Sequence, residues 1–451
     1  MWQLYSKLRN TWNRAAIATI VAGCLAFTVT ASAAPKPAAS AAPSDTYDIV
    51  VLGDSLAAGY ELGFTESSVP YGFAEHVYEQ ALFQGLRAEY NNYGIIGLRS
   101  EGLSKWLDAA AKGQAVKGAD IQAGLIDPRA AALFGKTTQL AQDLKDAELV
   151  LITIGGNDFL WMLNDLGVET GFHQLSADKQ DLLKSQLDTL LEGFEKQLKA
   201  SLGTIQKLQP NAEIVIANQY LPIYIQFRDQ KTYFVPESTA KFLTDGQTRL
   251  LERLQSVVNE FTKQGLSVKI ADASSAIEKD ALKFTSIRAT DEKGNPKPDI
   301  HPTVYGYTAL GQAFTEPLWG AYKTVKPRKS GVPISIVVGG KEVVTDYAPV
   351  IKKGRTFLSL RDVTDALGAE LKWNAATSTA TITLEDRTVA ITVGADKITI
   401  NGKSVPLNAE PAYLQQFSGE KKTYVPLAAL SDGLGFQVVY RETLKTAFIN
   451  R

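Results

Sequence analysis

The sequence is poor in the residue types that build disulfides and most protein metal sites. Its 451 residues include one cysteine, Cys24, and three histidines. A lone cysteine excludes an intramolecular disulfide, and the chain beyond Cys24 has no thiol for catalysis or metal binding. No His-Glu-x-x-His pair is present, which argues against a zinc hydrolase. These absences favour chemistry that uses neither a thiol nor a metal, and we expect no cofactor.

An excess of charge of either sign is also lacking. Lys and Arg number 47 and Asp and Glu number 48, so no global field favours nucleic acid or an anionic membrane. The stretch "GDSLAAGYELG", residues 53–63, offers neither G-x-G-x-x-G nor a P-loop lysine, and the G-x-S-x-G elbow of α/β-hydrolases is absent. We therefore expect no nucleic-acid partner, and function has to be inferred from local sites.

Long hydrophobic runs are limited to the N-terminal segment. Basic residues within 1–14 precede an apolar run over 15–30, which is shorter than the roughly 20 residues of a membrane span. This pattern predicts a signal peptide over 1–33, cleaved after Ala33, and a secreted or cell-surface protein of bacterial type. Cys24, in "VAGC", is a possible lipidation site, but the apolar "LAFTV" that follows it favours ordinary cleavage.

A region with alternating strands and helices follows an Ala-, Pro- and Ser-rich tether over 34–46. Amphipathic stretches separate its apolar runs, a pattern typical of a parallel sheet covered by helices on both faces. In such folds ligands bind at the carboxyl ends of the strands. We therefore predict an α/β domain over 47–322 with a five-stranded parallel sheet. Its strands correspond to the runs "YDIVVLG" (47–53), "AEYNNYG" (88–94), "ELVLITIGG" (148–156), "EIVIANQY" (213–220) and "LSVKIAD" (266–272).

The pattern changes after a basic linker over 323–333. Residues 334–451 are rich in short β segments and repeat internally, since "RTFLSLRDVTDALGAELKW" and "KTYVPLAALSDGLGFQVVY" align at an offset of 67 residues. Two further stretches, "GGK" at 339 and "NGK" at 401, predict hairpins. We predict a smaller, duplicated α+β domain.

Groups suited to acyl transfer follow the predicted strands. Ser55 follows the first strand, where it is either a nucleophile or the cap of a helix. Asn92 and Gly97 follow the second, and a glycine lets its backbone N–H approach an anion. Asn157, after the third, offers a side-chain amide. His301 comes after the fifth and just before a helical run.

The other histidines have structural explanations. His76 lies in an amphipathic helical pattern and is interpreted as a packing residue, and His173 as a surface residue. His301 is therefore the candidate general base.

Near Asn157, the apolar "FLWML" over 159–163 is either core or one wall of an acyl pocket, to which Tyr60 and Phe64 could also belong.

Four blocks in order resemble the SGNH hydrolases, also called GDSL esterases and lipases: "GDSL" (53–56), "NYGIIG" (92–97), "GGND" (155–158) and "DIHP" (299–302). The resemblance covers about residues 47–322. It implies a three-layer α/β/α, flavodoxin-like domain. It also implies that Ser55 is the nucleophile, that His301 is the base, and that the oxyanion hole combines the Ser55 and Gly97 N–H groups with the Asn157 side chain.

The carboxylate that orients the base departs from the family pattern. The family places Asp three residues before His, where this chain has Pro298, and Asp299 is only two residues before. Either Asp299 orients His301, or a backbone carbonyl does and the site is a dyad. Asp54 and Asp158 are interpreted as residues that fix turns through backbone hydrogen bonds.

The C-terminal repeat resembles the N-terminal stalk domain of copper amine oxidases, through the two aligned stretches quoted above. Copper is not expected, because no His or Cys occurs after His301.

The expected function is a secreted serine esterase or lipase that hydrolyses carboxylic esters through an acyl-enzyme on Ser55. Its substrate would be a small-molecule, lipid or acylated-glycan ester. The alternative is a cell-surface or wall-binding protein, attached through 334–451, with a vestigial hydrolase domain.

Overall fold

A computed structural model describes residues 46–159, 166, 170–221, 224–227, 230–233, 235–290, 293–294 and 299–451. The predicted signal peptide, Cys24 and all but the last residue of the predicted tether lie outside these residues, as do Pro298 and residues 160–163 of the predicted pocket wall. None of the helices in this part of the chain is long and apolar enough to cross a membrane.

The described residues form two compact units. The first contains 50–74 and 92–317, and the second contains 46–49, 75–91 and 318–451. The predicted linker, 323–333, therefore lies within the second unit. The domain limits predicted from the sequence, 47–322 and 334–451, stay predictions.

A five-stranded parallel sheet organises the α/β region. Its strand order is β2-β1-β3-β4-β7, and β5 and β6 form a separate antiparallel hairpin. The predicted parallel α/β fold is confirmed. The strands are β1 (Tyr47–Gly53), β2 (Ala88–Gly94), β3 (Leu149–Thr153), β4 (Glu213–Ala217), β5 (Tyr224–Phe227), β6 (Gln230–Tyr233) and β7 (Ser267–Ala271).

Helices connect the strands, and a short 3₁₀ helix spans Phe172–Gln174. Helix α6 (Ala177–Leu208) begins after Ser176, whose side chain caps the helix by accepting a hydrogen bond from the Lys179 N–H. The helices are α1 (Phe73–Phe83), α2 (Ser100–Ala111), α3 (Gly118–Ile121), α4 (Ala130–Phe134), α5 (Thr137–Asp146), α6 (Ala177–Leu208), α7 (Glu237–Lys263), α8 (Ala273–Glu278), α9 (Ala281–Phe284) and α10 (Val304–Trp319).

The core of the first unit explains why these sequences form these elements. Every residue of β3 is buried, as expected for a central strand with helices on both faces. Helix α6 buries one apolar stripe at helical spacing, which includes Leu183, Leu187, Leu191 and Leu198. Each fully buried leucine contributes roughly 1.5 to 3 kcal/mol, so the stripe holds this long helix on the sheet.

The C-terminal region is built mainly from antiparallel strands. Its sheets have the orders β10-β11-β18-β17, β12-β13-β14-β15-β16 and β19-β20-β8-β9, and β20 pairs with β8 in parallel. Its elements are β8 (Ser335–Val338), β9 (Lys341–Glu342), β10 (Val350–Lys352), β11 (Arg355–Ser359), α11 (Leu360–Leu367), β12 (Glu370–Asn374), β13 (Thr379–Leu384), β14 (Arg387–Thr392), β15 (Lys397–Ile400), β16 (Lys403–Pro406), β17 (Tyr413–Phe417), β18 (Glu420–Pro426), α12 (Leu427–Gly433), β19 (Gln437–Arg441) and β20 (Thr446–Asn450).

The internal repeat predicted from the sequence appears in these elements. Helices α11 and α12 start at Leu360 and Leu427, and β12 and β19 start at Glu370 and Gln437, each pair 67 residues apart. The "GGK" and "NGK" stretches lie at the turns of the β8–β9 and β15–β16 hairpins, as predicted. The duplicated α+β architecture is therefore confirmed.

Residues 75–91 belong to the second unit through specific contacts. The buried Glu79 carboxylate accepts a hydrogen bond from the Arg441 Nε–H at 2.9 Å. The side chain of Asn450 donates to the Leu82 carbonyl oxygen at 3.0 Å, and the rings of Phe83 and Phe448 meet edge to face at 4.8 Å. Polar and aromatic contacts thus join this early segment to β19 and β20.

Candidate active site

Strand β1 ends in a tight turn that presents Ser55. Gly53 has φ +130°, and a Cβ built there would lie 1.8 Å from the Thr153 carbonyl oxygen, so only glycine fits where β1 passes β3. Residues 55–59 form turns, and the next helix starts at Phe73. Ser55 therefore caps no helix, and its buried hydroxyl is left for other partners.

Asp54 holds this turn. Its Oδ1 accepts hydrogen bonds from the Leu56 N–H at 3.1 Å and the Thr153 hydroxyl at 2.9 Å, while its own N–H donates to the Thr153 carbonyl at 2.9 Å. Burial raises the pKa of the Asp54 carboxyl to about 6, against the lowering effect of these hydrogen bonds and of nearby His301. The structural role predicted for Asp54 agrees with these contacts.

His301 meets Ser55 across the site. The His301 Nε2 lies 2.7 Å from the Ser55 Oγ, and the His301 Nδ1 lies 2.5 Å from the Asp299 Oδ1. Because Nδ1 faces a carboxylate, it carries the proton, and the Nε2 lone pair is free to accept the serine proton. The structure thus brings together the three side chains that the sequence nominates as nucleophile, base and orienting acid.

The two-residue offset of Asp299 works through an Asx turn. The same Oδ1 also accepts the backbone N–H of His301 at 2.9 Å, which folds the carboxylate back over the imidazole. Ser286 fixes this loop by accepting the Asp299 N–H on its carbonyl and donating its own N–H to the His301 carbonyl, at 3.1 and 2.9 Å. From the other side, the Tyr220 hydroxyl donates to the Ile300 carbonyl at 2.9 Å.

The loop after β2 leaves one backbone donor open. The N–H groups of 94, 95, 96, 98 and 99 donate, in that order, to the Asn92 side chain, the Gly53 carbonyl, the Asp127 carboxylate, the Ile95 carbonyl and the Gln122 side chain. Gly97, at φ +85°, is the exception in this run, since its N–H has no acceptor within the described residues. An N–H without a protein acceptor can donate a hydrogen bond to an anion.

Asn157 adds a side-chain donor. Residues 156–159 are helical, and the Asn157 Nδ2 donates one hydrogen bond to the Leu98 carbonyl at 3.0 Å. An amide carries two N–H groups, so this bond fixes the side chain and leaves the second N–H available. The next residue, Asp158, accepts the Ser100 N–H and hydroxyl at the start of α2, and burial raises the pKa of its carboxyl.

The remaining residues nominated from the sequence have these positions. Tyr60 packs against His301, with ring centroids 4.4 Å apart, and Phe64 contacts Tyr60 at 5.9 Å. His76 is buried, and its Nδ1 hydrogen-bonds the Tyr322 hydroxyl at 2.8 Å, whereas His173 is exposed. No group of three or more His, Cys, Asp or Glu side chains in the described ranges could hold a metal ion.

Sequence reasoning missed the residues that support these groups. Gln122, Asp127 and Arg129 lie in a connecting segment without apolar periodicity, so no pattern distinguishes them from other polar loop residues. Tyr220 ends the predicted fourth strand, and nothing in that run indicates its contact with the His301 loop. The one available signal is "DPR", residues 127–129, a turn-forming sequence that follows an apolar Leu-Ile pair.

Two protein-family models match separate regions of the chain. Residues 49–314 match the model of the GDSL-like lipase/acylhydrolase family, and residues 337–449 match the model of the copper amine oxidase N-terminal domain. No curated protein matched the chain.

Similar solved structures have low sequence identity to this chain. One is the lipase Lip_vut3 from a goat rumen metagenome, with 15% identity, a TM-score of 0.38, and coverage of 62% of this chain and 100% of that one. Another is phospholipase A1 from Streptomyces albidoflavus NA297, with 13% identity, a TM-score of 0.37 and coverage of 62% and 100%. The family model alone spans more than half of the chain. The protein belongs to the GDSL-like lipase/acylhydrolase family.

Proposed function

We propose that the protein hydrolyses carboxylic esters through an acyl-enzyme on Ser55. The observation that carries this proposal is the continuous hydrogen-bonded path from the Ser55 Oγ to the His301 Nε2, at 2.7 Å, and from the His301 Nδ1 to the Asp299 carboxylate, at 2.5 Å. A nucleophile with a base in hydrogen-bond reach, itself oriented by a third group, is the arrangement that acyl transfer requires.

The reaction proceeds in two halves. His301 Nε2 takes the Ser55 proton as Oγ bonds to the ester carbonyl carbon, and the resulting imidazolium gives that proton to the departing alcohol. Water then attacks the acyl-enzyme as His301 accepts a proton from it, and the imidazolium returns that proton to the Ser55 Oγ as the Oγ–carbonyl bond breaks and the carboxylic acid leaves. Asp299 stays ionised and stabilises the imidazolium in both halves.

Three donors support the tetrahedral intermediates. The Ser55 and Gly97 N–H groups have no acceptor in the parts of the chain described here, and Asn157 has one uncommitted amide hydrogen. Donors that are already fixed need no reorganisation when the oxyanion forms, which is why such sites lower the barrier. No cofactor takes part in this mechanism.

A fluorophosphonate probe tests the nucleophile directly. Intact-mass analysis should show one covalent adduct on the wild-type protein, located at Ser55 by peptide mapping and absent from Ser55→Ala. The wild type should also hydrolyse p-nitrophenyl acetate, and Ser55→Ala should lose at least about 10³-fold in turnover. Absence of both labelling and hydrolysis would overturn the proposal and favour a surface-binding protein with a vestigial hydrolase domain.

The substrate class we propose is a small-molecule, lipid or acylated-glycan ester. A hydrolysis profile over acyl chains of increasing length, together with acetylated polysaccharide, identifies which of these ester classes the site accepts. A preference for acetyl esters of glycans would exclude a lipid substrate, and a preference for long acyl chains would exclude the glycan.

We further propose export through residues 1–33 and surface attachment through 334–451. The apolar run over 15–30 and the small residues that end it support the first part, and the presence of a second folded region supports the second. Expression in a bacterium followed by N-terminal sequencing should give a mature protein that starts at Ala34. An unprocessed protein retained in the cytoplasm would overturn the export proposal, and loss of surface retention without 334–451 tests attachment.

A further inference from the structure

Side chains of one short segment, residues 122–129, form hydrogen bonds with the backbone on both sides of Gly97. Asp127, whose side chain is 0% exposed, accepts the Ile96 N–H on its Oδ2 at 2.8 Å. Gln122 donates to the Gly97 carbonyl at 2.8 Å and accepts the Arg99 N–H at 2.9 Å. The peptide groups on either side of the open Gly97 N–H are therefore fixed by side chains of this segment.

Arg129 adds a third set of contacts to this segment. Its guanidinium donates to both carboxylate oxygens of Asp127 and, at 3.0 Å, to the Gly94 carbonyl. The same group lies over the ring of Phe64 at 4.6 Å, and Phe64 in turn contacts Tyr60 beside His301. A charge-assisted hydrogen bond to a buried carboxylate is stronger than one between neutral groups, so Asp127 is a firm anchor.

We infer that residues 122–129 act as a clamp that orients the Gly97 N–H toward the developing oxyanion, with Asp127 as its main positioning residue. The inference rests on the proposed ester hydrolysis. Glycine restricts its backbone dihedral angles less than any other residue, and rotation of the peptide plane at Gly97 would turn the N–H away from the substrate. The clamp removes the freedom before substrate binds, which is the condition for preorganised transition-state stabilisation.

Asp127→Asn in the full chain is the primary test. The amide has one acceptor oxygen instead of two, so its NH₂ group must face donors that the carboxylate accepts, either the Ile96 N–H or the backbone and Nε N–H groups of Arg129. This mismatch loosens the contacts that hold the Gly97 loop. We expect kcat for p-nitrophenyl acetate to fall about 10- to 100-fold with KM changed by less than about twofold. Asp120→Asn is the matched control, because the Asp120 carboxylate also accepts a loop N–H, that of Lys117, away from Gly97; its kcat should stay within about twofold.

Double variants separate positioning from a general loss of stability. If Asp127 acts through Gly97, its effect should largely disappear in a Gly97→Ala background, where the donor is already displaced. In an Asn157→Ala background, where a separate donor is lost, the two effects should multiply. A loss in Asp127→Asn that multiplies equally with both substitutions would contradict the inference, as would activity equal to that of Asp120→Asn.

Gln122→Met provides a milder variant if Asp127→Asn does not fold. It removes the bonds to Gly97 and Arg99 without creating a buried charge, and it should lower kcat about 3- to 10-fold with the same pattern in the double variants. A Gln122→Met protein with unchanged kcat would count against the clamp.

A measurement independent of turnover distinguishes the clamp from the proposed hydrolysis. In protein labelled with ¹⁵N-glycine, the Gly97 amide, assigned through Gly97→Ala, should be rigid in the wild type and become mobile in Asp127→Asn. If the wild type hydrolyses no ester, the proposed function fails, but this signal still decides the clamp. An equally rigid Gly97 amide in both proteins would overturn it.

Discussion

The histidine and its carboxylate show how much one side-chain hydrogen bond can change a site. Asp299 reaches the His301 Nδ1 although it stands only two residues away, because its Oδ1 also accepts the His301 N–H. Among the described residues, the group that faces the His301 Nδ1, at 2.5 Å, is this carboxylate, whereas the sequence had left a backbone carbonyl as the alternative.

Asp299→Asn tests whether this carboxylate orients the base. The amide cannot stabilise an imidazolium and favours the wrong imidazole tautomer, so we expect turnover to fall about 10⁴-fold with little change in KM. Steady-state kinetics on a p-nitrophenyl ester provides the measurement. A loss below about tenfold would exclude Asp299 as the orienting residue.

Asp54 gives the protein a pH dependence of stability. Burial raises the pKa of its carboxyl to about 6, above the ordinary value of 3.8. The native state therefore binds this proton more tightly than the unfolded chain, and the stabilising contribution is complete below 3.8 and is lost as the pH rises through 6. Asp54→Asn lacks this titration.

Relative to the wild type, the free energy of unfolding of Asp54→Asn should therefore rise by about 2 to 3 kcal/mol between pH 4 and pH 7.5. Urea unfolding of both proteins at the two pH values measures the difference. Parallel pH profiles for the two proteins would contradict this assignment.

Residues of the site differ in how visible they are in the sequence. Ser55 and Asn157 come soon after apolar strands, so the periodicity that reveals those strands also points to them. His301 lies beyond β7, α8 and α9, and it was nominated because the other two histidines have structural explanations. Asp127 and Gln122 could not be predicted in this way, because their function depends on where a long connection folds back on the Gly97 loop.

At the scale of elements, the strands were predictable and their ends were not. The runs at 148–156 and 213–220 correspond to β3, Leu149–Thr153, and β4, Glu213–Ala217. The predicted runs continue past the ends of β3 and β4 to residues 154–156 and to Tyr220, where the backbone has already left the strand conformation.

Two glycines in different elements should respond in opposite ways to alanine. Gly53→Ala places a methyl group on the Thr153 carbonyl at the end of β1, and we expect it to destabilise the protein by at least about 3 kcal/mol. Gly193 lies inside α6 with open space around it, and Gly193→Ala should stabilise by about 0.5 to 1 kcal/mol. Chemical denaturation of both variants checks the pair, and equal effects would contradict the account.

At the scale of the whole molecule, the repeat was visible in the sequence and the compact units were not. Repetition leaves matched letters 67 residues apart, whereas the grouping of 75–91 with 318–451 depends on contacts such as His76–Tyr322 and Glu79–Arg441, between positions 246 and 362 residues apart. No local pattern carries that information.

Arg441 and Arg451 provide a matched test of the second unit. Arg441 pairs with Glu79, whose side chain is 1% exposed, whereas Arg451 pairs with Glu385 at the surface. Arg441→Met should lower the free energy of unfolding by about 3 kcal/mol, because a buried carboxylate loses its cation. Arg451→Met should change it by less than about 0.5 kcal/mol. Similar values for both would show that the Glu79 pair has no special weight.

The pairing of β20 with β8 also has a consequence for timing. Strand β20, residues 446–450, is fully buried and pairs with the edge of β8 opposite β9, so that edge of β8 has no partner until those residues have been synthesised. The apolar side chains of 75–91 and 335–338 that pack against β20 therefore stay exposed until β20 has been synthesised. Such late, long-range closure slows folding and leaves a period in which a chaperone can bind the unfolded chain.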